Sequence, residues 1–275
     1  MAIITWDQSG DKVFETGTKN GVLYASLGTV PAFSTSASYA AGDMVKYSGK
    51  NYVAKTAVTA GTWDASDWDE WKSDYQQGVA WNGLTAVNES PDGAEETALY
   101  ADDIKYLSMR SAEEFNFTIE AYTYPDEWMQ CDGSANLVDG VPGVTVGQQK
   151  RRMFGFSYTS TVGNDTEGND YGEKIHLIYS ATAAPSDRSY ETINDSPEAI
   201  TFSWECKTTA IDMPGGLKKG AEITIDTTRL NTAGKTALAT LKGYLYGTNS
   251  TAPYLPSPAD IFTLFGGSES SNVSG

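Results

Sequence analysis

The chain has 275 residues, a formal net charge of −17, two cysteines and one histidine. This length allows one large or two modest domains with a sizeable core. Three Cys and His residues are too few for a structural zinc site of about four ligands, so we predict no metal and no cofactor. We expect both cysteines to be free thiols. The charge disfavours direct binding of nucleic acid, which needs clustered Lys and Arg, and without a signal peptide or an apolar stretch of bilayer length we expect no membrane insertion.

The first distinctive pattern along the chain lies between residues 28 and 77. Gly42-Asp43 and Ser48-Gly49 are turn dipeptides that bound a short strand. We predict a small, self-contained β-sheet built around large aromatic side chains, namely Tyr39, Tyr52, Trp63, Trp68 and Trp71. The neighbouring acids favour a solvated rim over a calcium site; they are Asp64, Asp67, Asp69, Glu70 and Asp74.

Charge is distributed unevenly after this segment. Residues 88–140 hold thirteen acids and two bases, a net charge of −11, whereas residues 207–243 hold six bases and three acids, a net charge of +3. Opposite local charges favour head-to-tail association of identical subunits.

Alternation of apolar and polar residues predicts antiparallel β-strands over 115–122 and 200–207, with weaker patterns near 154–158, 175–179 and 221–225. Each strand is expected to have one face in a core and the other toward solvent or a partner. His176 falls on a polar face, so we predict a surface or interface position for it.

Helical signals occur only in the C-terminal third. Asn231 is a candidate cap for a helix ending at Gly247, and Ser257 followed by Pro258 predicts a second, shorter helix. Residues 266–275 contain too few apolar side chains to order by themselves, which predicts a flexible tail.

Two resemblances add to these patterns. The spacing of Tyr39, Gly42, Tyr47 and Tyr52, followed by WDASDW at 63–68, resembles the small chitin- and cellulose-binding β-modules. The resemblance implies glycan binding by aromatic stacking, with Tyr39, Trp63, Trp68 and Trp71 as candidates. Packing of these rings in the core of the module is the competing interpretation and the one we favour.

The rest of the chain resembles the major tail tube proteins of long, non-contractile bacteriophage tails. The motifs that carry the resemblance are VAWNGLTAVN at 79–88, ALYADDIKYL at 98–107, SAEEF at 111–115, IEAYTYPDE at 119–127, GQQK at 147–150, GNDTEGNDYG at 163–172 and TINDSPEAITFSWE at 192–205. It implies a mainly β fold, an antiparallel β-sandwich or barrel with a flanking C-terminal helix. Residues 1–27 and 78–265 would form this discontinuous domain, with 28–77 as an inserted module on the outer wall.

The tail tube resemblance also implies a function. The chain would be a structural subunit of the virion, made in the bacterial cytoplasm, that forms hexameric rings stacked head to tail around a channel for DNA ejection. Expected partners are further copies of the chain, the tape measure protein, the tail terminator and distal tail proteins, and host-surface carbohydrate, while phage DNA passes without specific binding.

The acids expected at the lumen or between rings are Glu95, Glu96, Asp102, Asp103, Glu113 and Glu114. We predict no enzyme activity, because the sequence offers neither a convincing triad nor a phosphate-binding loop. The alternative from another class is a glycan-binding adhesin or virion decoration protein. A glycoside hydrolase would need a distant carboxylate pair that the sequence alone does not reveal.

Overall fold

The structure is a computed structural model that describes residues 4–138, 141–190, 192 and 199–268. The strands are Val13–Ala25 (β1), Met44–Tyr47 (β2), Lys50–Ala54 (β3), Trp68–Trp71 (β4), Val79–Ala80 (β5), Leu84–Glu89 (β6), Asp92–Gly93 (β7), Glu96–Ala101 (β8), Ile104–Arg110 (β9), Glu113–Glu114 (β10), Asn116–Ala121 (β11), Ala135–Asn136 (β12), Thr145–Val146 (β13), Phe154–Asn164 (β14), Gly168–Ala183 (β15), Phe202–Thr208 (β16) and Glu222–Asp226 (β17). The helices are Met129–Asp132 (α1), Thr232–Tyr246 (α2) and Pro258–Leu264 (α3). The fold is mainly β and antiparallel, consistent with a β-sandwich that carries a C-terminal helix, and this confirms the predicted fold class.

One eight-stranded sheet forms the main domain, in the order β5-β1-β14-β15-β16-β11-β6, with β17 also paired to β15. Its two outermost strands, β5 and β6, follow each other in the chain with only three residues between them. The two ends of the sheet are therefore held together, and the sheet must curl around an interior. Gly21 of β1 packs against the connection between β5 and β6, since an added Cβ would lie 3.1 Å from Leu84 and 3.3 Å from Trp81.

The curled sheet separates two apolar cores. The inner core is aromatic, with Trp81 and Trp128 ring centroids 4.7 Å apart, and it contains both cysteines as free thiols. The outer core lies between the sheet and the C-terminal helices, where the Tyr24 hydroxyl donates to the Leu245 carbonyl at 2.9 Å. Strands β14 and β15 are consequently covered on both faces over much of their length.

The prediction of one face toward solvent or a partner is therefore wrong for much of β14 and β15, because both faces are covered within the chain. Of the two positions predicted for His176, the surface position is also wrong, because this residue is only 9% exposed, and the interface position stays a prediction. The polar face on which it lies is the one that the curl of the sheet turns toward the interior. Alternation in β15 identified two faces correctly, but it could not show that both would be covered.

The C-terminal helices confirm their predicted caps. The Asn231 side chain accepts a hydrogen bond from the Gly234 amide at 2.8 Å, and α2 ends just before Gly247. Ser257 and Asp260 form a capping box at the start of α3, with Pro258 at its first position. The prediction missed α1, a single helical turn after the 3₁₀ turn Asp126–Trp128. The predicted tail beyond residue 268 lies outside the described residues.

Residues 28–77 contain their own three-stranded sheet, β2-β3-β4, with a separate core around Val45, Ala54 and Trp68. The two ends of this module meet, since the Leu27 amide donates to the Asp74 carbonyl at 3.0 Å. Its last residues pack in the main domain. Tyr75 belongs to the outer core, and its hydroxyl accepts from the Ser180 amide at 2.9 Å.

Within the described ranges, none of the helices combines the length and the apolar character required to cross a bilayer.

Candidate functional site

The main domain carries a long, exposed hairpin of residues 92–114, which we call the arm. Strand β7 pairs with β10 and β8 pairs with β9, and these four strands make no other ladder within the described chain. Asp102 and Asp103 form its two-residue turn with φ of 50° and 60°, and positive values at both positions suit the twist of a hairpin. Gly93 at the base has φ +90°, and an added Cβ would lie 2.2 Å from the Ala112 carbonyl oxygen.

One face of the arm is apolar. Leu99 lies opposite Leu107, and Met109 lies opposite Thr97 on the same face. Three further large side chains surround the tip with exposed fractions of 66–72%: Tyr100, Ile104 and Tyr106. An isolated two-stranded hairpin is at best marginally stable in water, and contiguous exposed apolar surface marks interaction sites. The arm thus has the exposed apolar surface expected of a segment that packs against another chain.

The six acids predicted at the lumen or between rings all lie along the arm: Glu95, Glu96, Asp102, Asp103, Glu113 and Glu114. Asp102 and Asp103 occupy the tip, whereas Glu113 and Glu114 lie at the base. Glu96 is paired with Lys105 at 2.7 Å, which lowers the pKa of this carboxyl. With seven acids and two bases, the arm has a net charge of −5. The structure brings these acids onto one element, and their role at a lumen stays a prediction.

The four aromatic candidates for glycan stacking occupy different positions in the inserted module. Trp68 is buried, and Tyr39, Trp63 and Trp71 are half-buried. The Trp63 ring stacks on Tyr47 with centroids 4.0 Å apart and on Trp68 at 5.1 Å, which leaves little of its face for a sugar. Trp71 lies apart from this cluster and contacts Tyr254 of the main domain.

The acids of the module are engaged locally instead of converging on one point. Asp64 caps the 3₁₀ turn Ala65–Asp67 by accepting from the Ser66 amide at 2.9 Å. Lys55 pairs with Asp69 at 3.2 Å, and Lys50 pairs with Glu70 at 2.9 Å.

A second cluster lies where the inner core opens at the base of the arm. Glu89 at the end of β6, His176 of β15 and Glu222 at the start of β17 place one side-chain ligand atom each within 4.8 Å of one another. His176 Nδ1 is 3.4 Å from a Glu89 carboxylate oxygen and 3.3 Å from a Glu222 oxygen. The imidazole stacks on the Tyr158 ring at 4.4 Å, and its Nε2 is 3.0 Å from the Ser160 hydroxyl.

Electrostatics of the cluster favour a positive charge between the carboxylates. Burial lowers the pKa of His176, but hydrogen bonds to Glu222 and Glu89 and the charges of these groups outweigh it and raise the pKa to about 9. The pKa of Glu89 is lowered, mainly by the hydrogen bond with His176. An imidazolium between two carboxylates therefore holds β6 against β15 and β17 in neutral solution.

This arrangement predicts a loss of stability at alkaline pH. The folded-state pKa of His176 is above its unfolded value of 6.5, so its contribution is complete below pH 6.5 and is lost as the pH rises through about 9. The contribution is at most about 3 kcal/mol. Urea unfolding in EDTA buffer should show the stability difference between the wild type and His176→Gln shrinking from pH 7 to pH 10. An unchanged difference across this range would contradict the proposed ion pair.

Sequence reasoning missed this cluster. Glu89 and Glu222 are 87 and 46 positions from His176, and no local motif connects them; only the curl of the sheet brings them together. A solitary histidine on a strand among acids was the one available signal.

No protein-family model matches the chain, and a search of curated proteins finds no similar sequence.

Proposed function

We propose that this chain is the structural subunit of the tail tube of a long, non-contractile-tailed bacteriophage, assembling as hexameric rings that stack head to tail around a channel for DNA. The observation that carries the proposal is the arm. It leaves the main sheet, exposes an apolar face and a ring of large side chains at its tip, and contributes to neither core. A further copy of the same chain is the partner that a repeating structural subunit supplies.

Charge supports head-to-tail contact. The arm carries −5, while residues 207–243 carry +3, so an arm approaching this segment of the next subunit would gain favourable attraction. The net charge of −17 also suits a channel for DNA, because a negative wall repels phosphate and lets the duplex slide. The tape measure protein, the tail terminator and the distal tail proteins are the other partners that the tail tube resemblance implies, in a subunit with no catalytic role.

The inserted module fits an outward-facing decoration. Its core around Val45, Ala54 and Trp68 is separate from those of the main domain, and six copies per ring would obstruct a lumen that must pass duplex DNA. Contact with host-surface glycans is the role that the module's resemblance suggests, and Tyr47, which is 38% exposed, is an aromatic ring on which a sugar could stack.

Assembly is the direct test. Concentrated purified protein should form rings or hollow tubes of uniform diameter, visible by negative-stain electron microscopy. A protein that stays monomeric at all concentrations would contradict the proposal. A small oligomer that binds immobilised chitin or cellulose would instead support the adhesin alternative.

A further inference from the structure

The cluster at the base of the arm has a feature that an ordinary ion pair lacks. Three oxygen atoms surround His176 Nδ1 at nearly equal distance: Glu222 at 3.3 Å and Glu89 and Thr224 at 3.4 Å. All three are longer than a usual N–H···O hydrogen bond of about 2.9 Å. One N–H can point well at only one of them, so a single imidazolium donor leaves the other oxygens without a well-directed hydrogen bond.

We propose that Glu89, His176 and Glu222 bind a divalent transition-metal ion such as Zn²⁺. Zinc binds nitrogen and carboxylate oxygen at about 2.0–2.2 Å, which in a tetrahedral site sets neighbouring ligand atoms about 3.3–3.6 Å apart. The separations of Nδ1 from the two carboxylates match this spacing. The imidazole ligand favours first-row transition metals over Mg²⁺ or Ca²⁺, which prefer oxygen alone.

The residues around the three ligands orient them for this role. Ser160 lies 3.0 Å from Nε2 of His176, so its hydroxyl oxygen can accept a hydrogen bond from the Nε2 N–H. The ion would displace the Nδ1 proton of the imidazolium and bind the Nδ1 lone pair. The Tyr158 hydroxyl donates to Glu89, and the Thr224 hydroxyl donates to Glu222 at 2.7 Å. Hydrogen bonds of this kind fix ligand direction in metal sites.

The location also suits an ion that binds from solution. The side chain of His176 is 11% exposed, and that of Glu89 is 34% exposed. A cation can therefore enter past Glu89, and a water molecule can take the fourth position. The bound ion would join β6 to β15 and β17 across the mouth of the inner core, immediately before the chain continues into the arm. Binding of the ion would need only the single subunit and would not depend on tube formation.

The test uses the whole 275-residue chain. The protein is first treated with a chelator, and the chelator is then removed. Isothermal titration with Zn²⁺ should show one site per chain, and the thermal midpoint should rise with Zn²⁺ concentration. His176→Gln and Glu222→Gln should each weaken Zn²⁺ binding by about 100-fold or more, and Tyr158→Phe, which removes only an orienting hydrogen bond, by about tenfold.

The matched control is Asp67→Asn with Asp69→Asn, which removes two acids from the module and should leave Zn²⁺ binding unchanged. The visible spectrum of the Co²⁺-loaded wild type, with bands of tetrahedral intensity, provides a readout that does not depend on any variant folding. The absence of saturable Zn²⁺ binding, equal binding by a folded His176→Gln protein, or equally tight binding of Mg²⁺ would overturn the assignment.

Discussion

Replacing the arm, residues 92–114, with a short Gly-Ser turn should abolish ring and tube formation while leaving a folded monomer. The arm contributes no residue to the inner or outer core. The chain on either side of it is already joined, because the Ser90 amide donates to the Asn116 carbonyl at 2.7 Å. Light scattering and electron microscopy would measure assembly, and calorimetry would show a thermal midpoint close to that of the wild type.

Point substitutions separate the apolar surface of the arm from its charge. Tyr100→Ser with Tyr106→Ser keeps the hairpin and should raise the critical concentration for assembly at least tenfold, because burying one large apolar side chain contributes about 1.5–3 kcal/mol and about 1.4 kcal/mol corresponds to a factor of ten. Asp102→Asn with Asp103→Asn keeps a turn that tolerates positive φ and should change mainly the salt dependence. Tubes of normal diameter from the armless protein would place the assembly surface elsewhere on the sheet.

The contrast between the arm and the central strands shows what the sequence could predict. The caps of α2 and α3 depend on residues a few positions apart, and Asn231 and Ser257 identified both helices. Strand alternation likewise identified β11 and β16, where one buried face and one more exposed face explain the pattern. These are local properties of the chain, and the structure confirms them.

Non-local features were beyond the same reasoning. The burial of His176 depends on the curl of the sheet. The sheet curls because β5 and β6, which are neighbours in the chain, are its two outermost strands. The motif at 98–107 contributed to the tail tube resemblance, but its residues alone could not show that this hairpin would leave the main sheet without a covering layer. For the glycan candidates Trp63 and Trp68, the sequence could not show whether the rings are buried or exposed, because an aromatic core and an aromatic binding surface have the same composition.

The inserted module offers the second large effect, and two deletions of different length should behave differently. Joining Gly28 to Ser73 through a short Gly-Ser linker, which removes residues 29–72, should leave the main domain folded and assembling into tubes of normal bore. The Leu27–Asp74 hydrogen bond already brings the two ends together, so a short linker can close the gap. Urea unfolding and electron microscopy would measure the result.

Removing the whole predicted insertion, residues 28–77, should instead destabilise the domain by several kcal/mol. Tyr75 is 9% exposed in the outer core, and loss of a large aromatic side chain from a core costs about 3–5 kcal/mol. Its loss also leaves the Ser180 amide without its acceptor, and the Ser73 hydroxyl no longer donates to the Leu255 carbonyl. Tyr75→Phe isolates the hydroxyl and should cost only about 1 kcal/mol. If the short deletion proved as unstable as the long one, the module would be part of the folding unit of the main domain. If the short deletion folded but formed no tubes, the module would belong to the assembly surface and could not be a dispensable decoration.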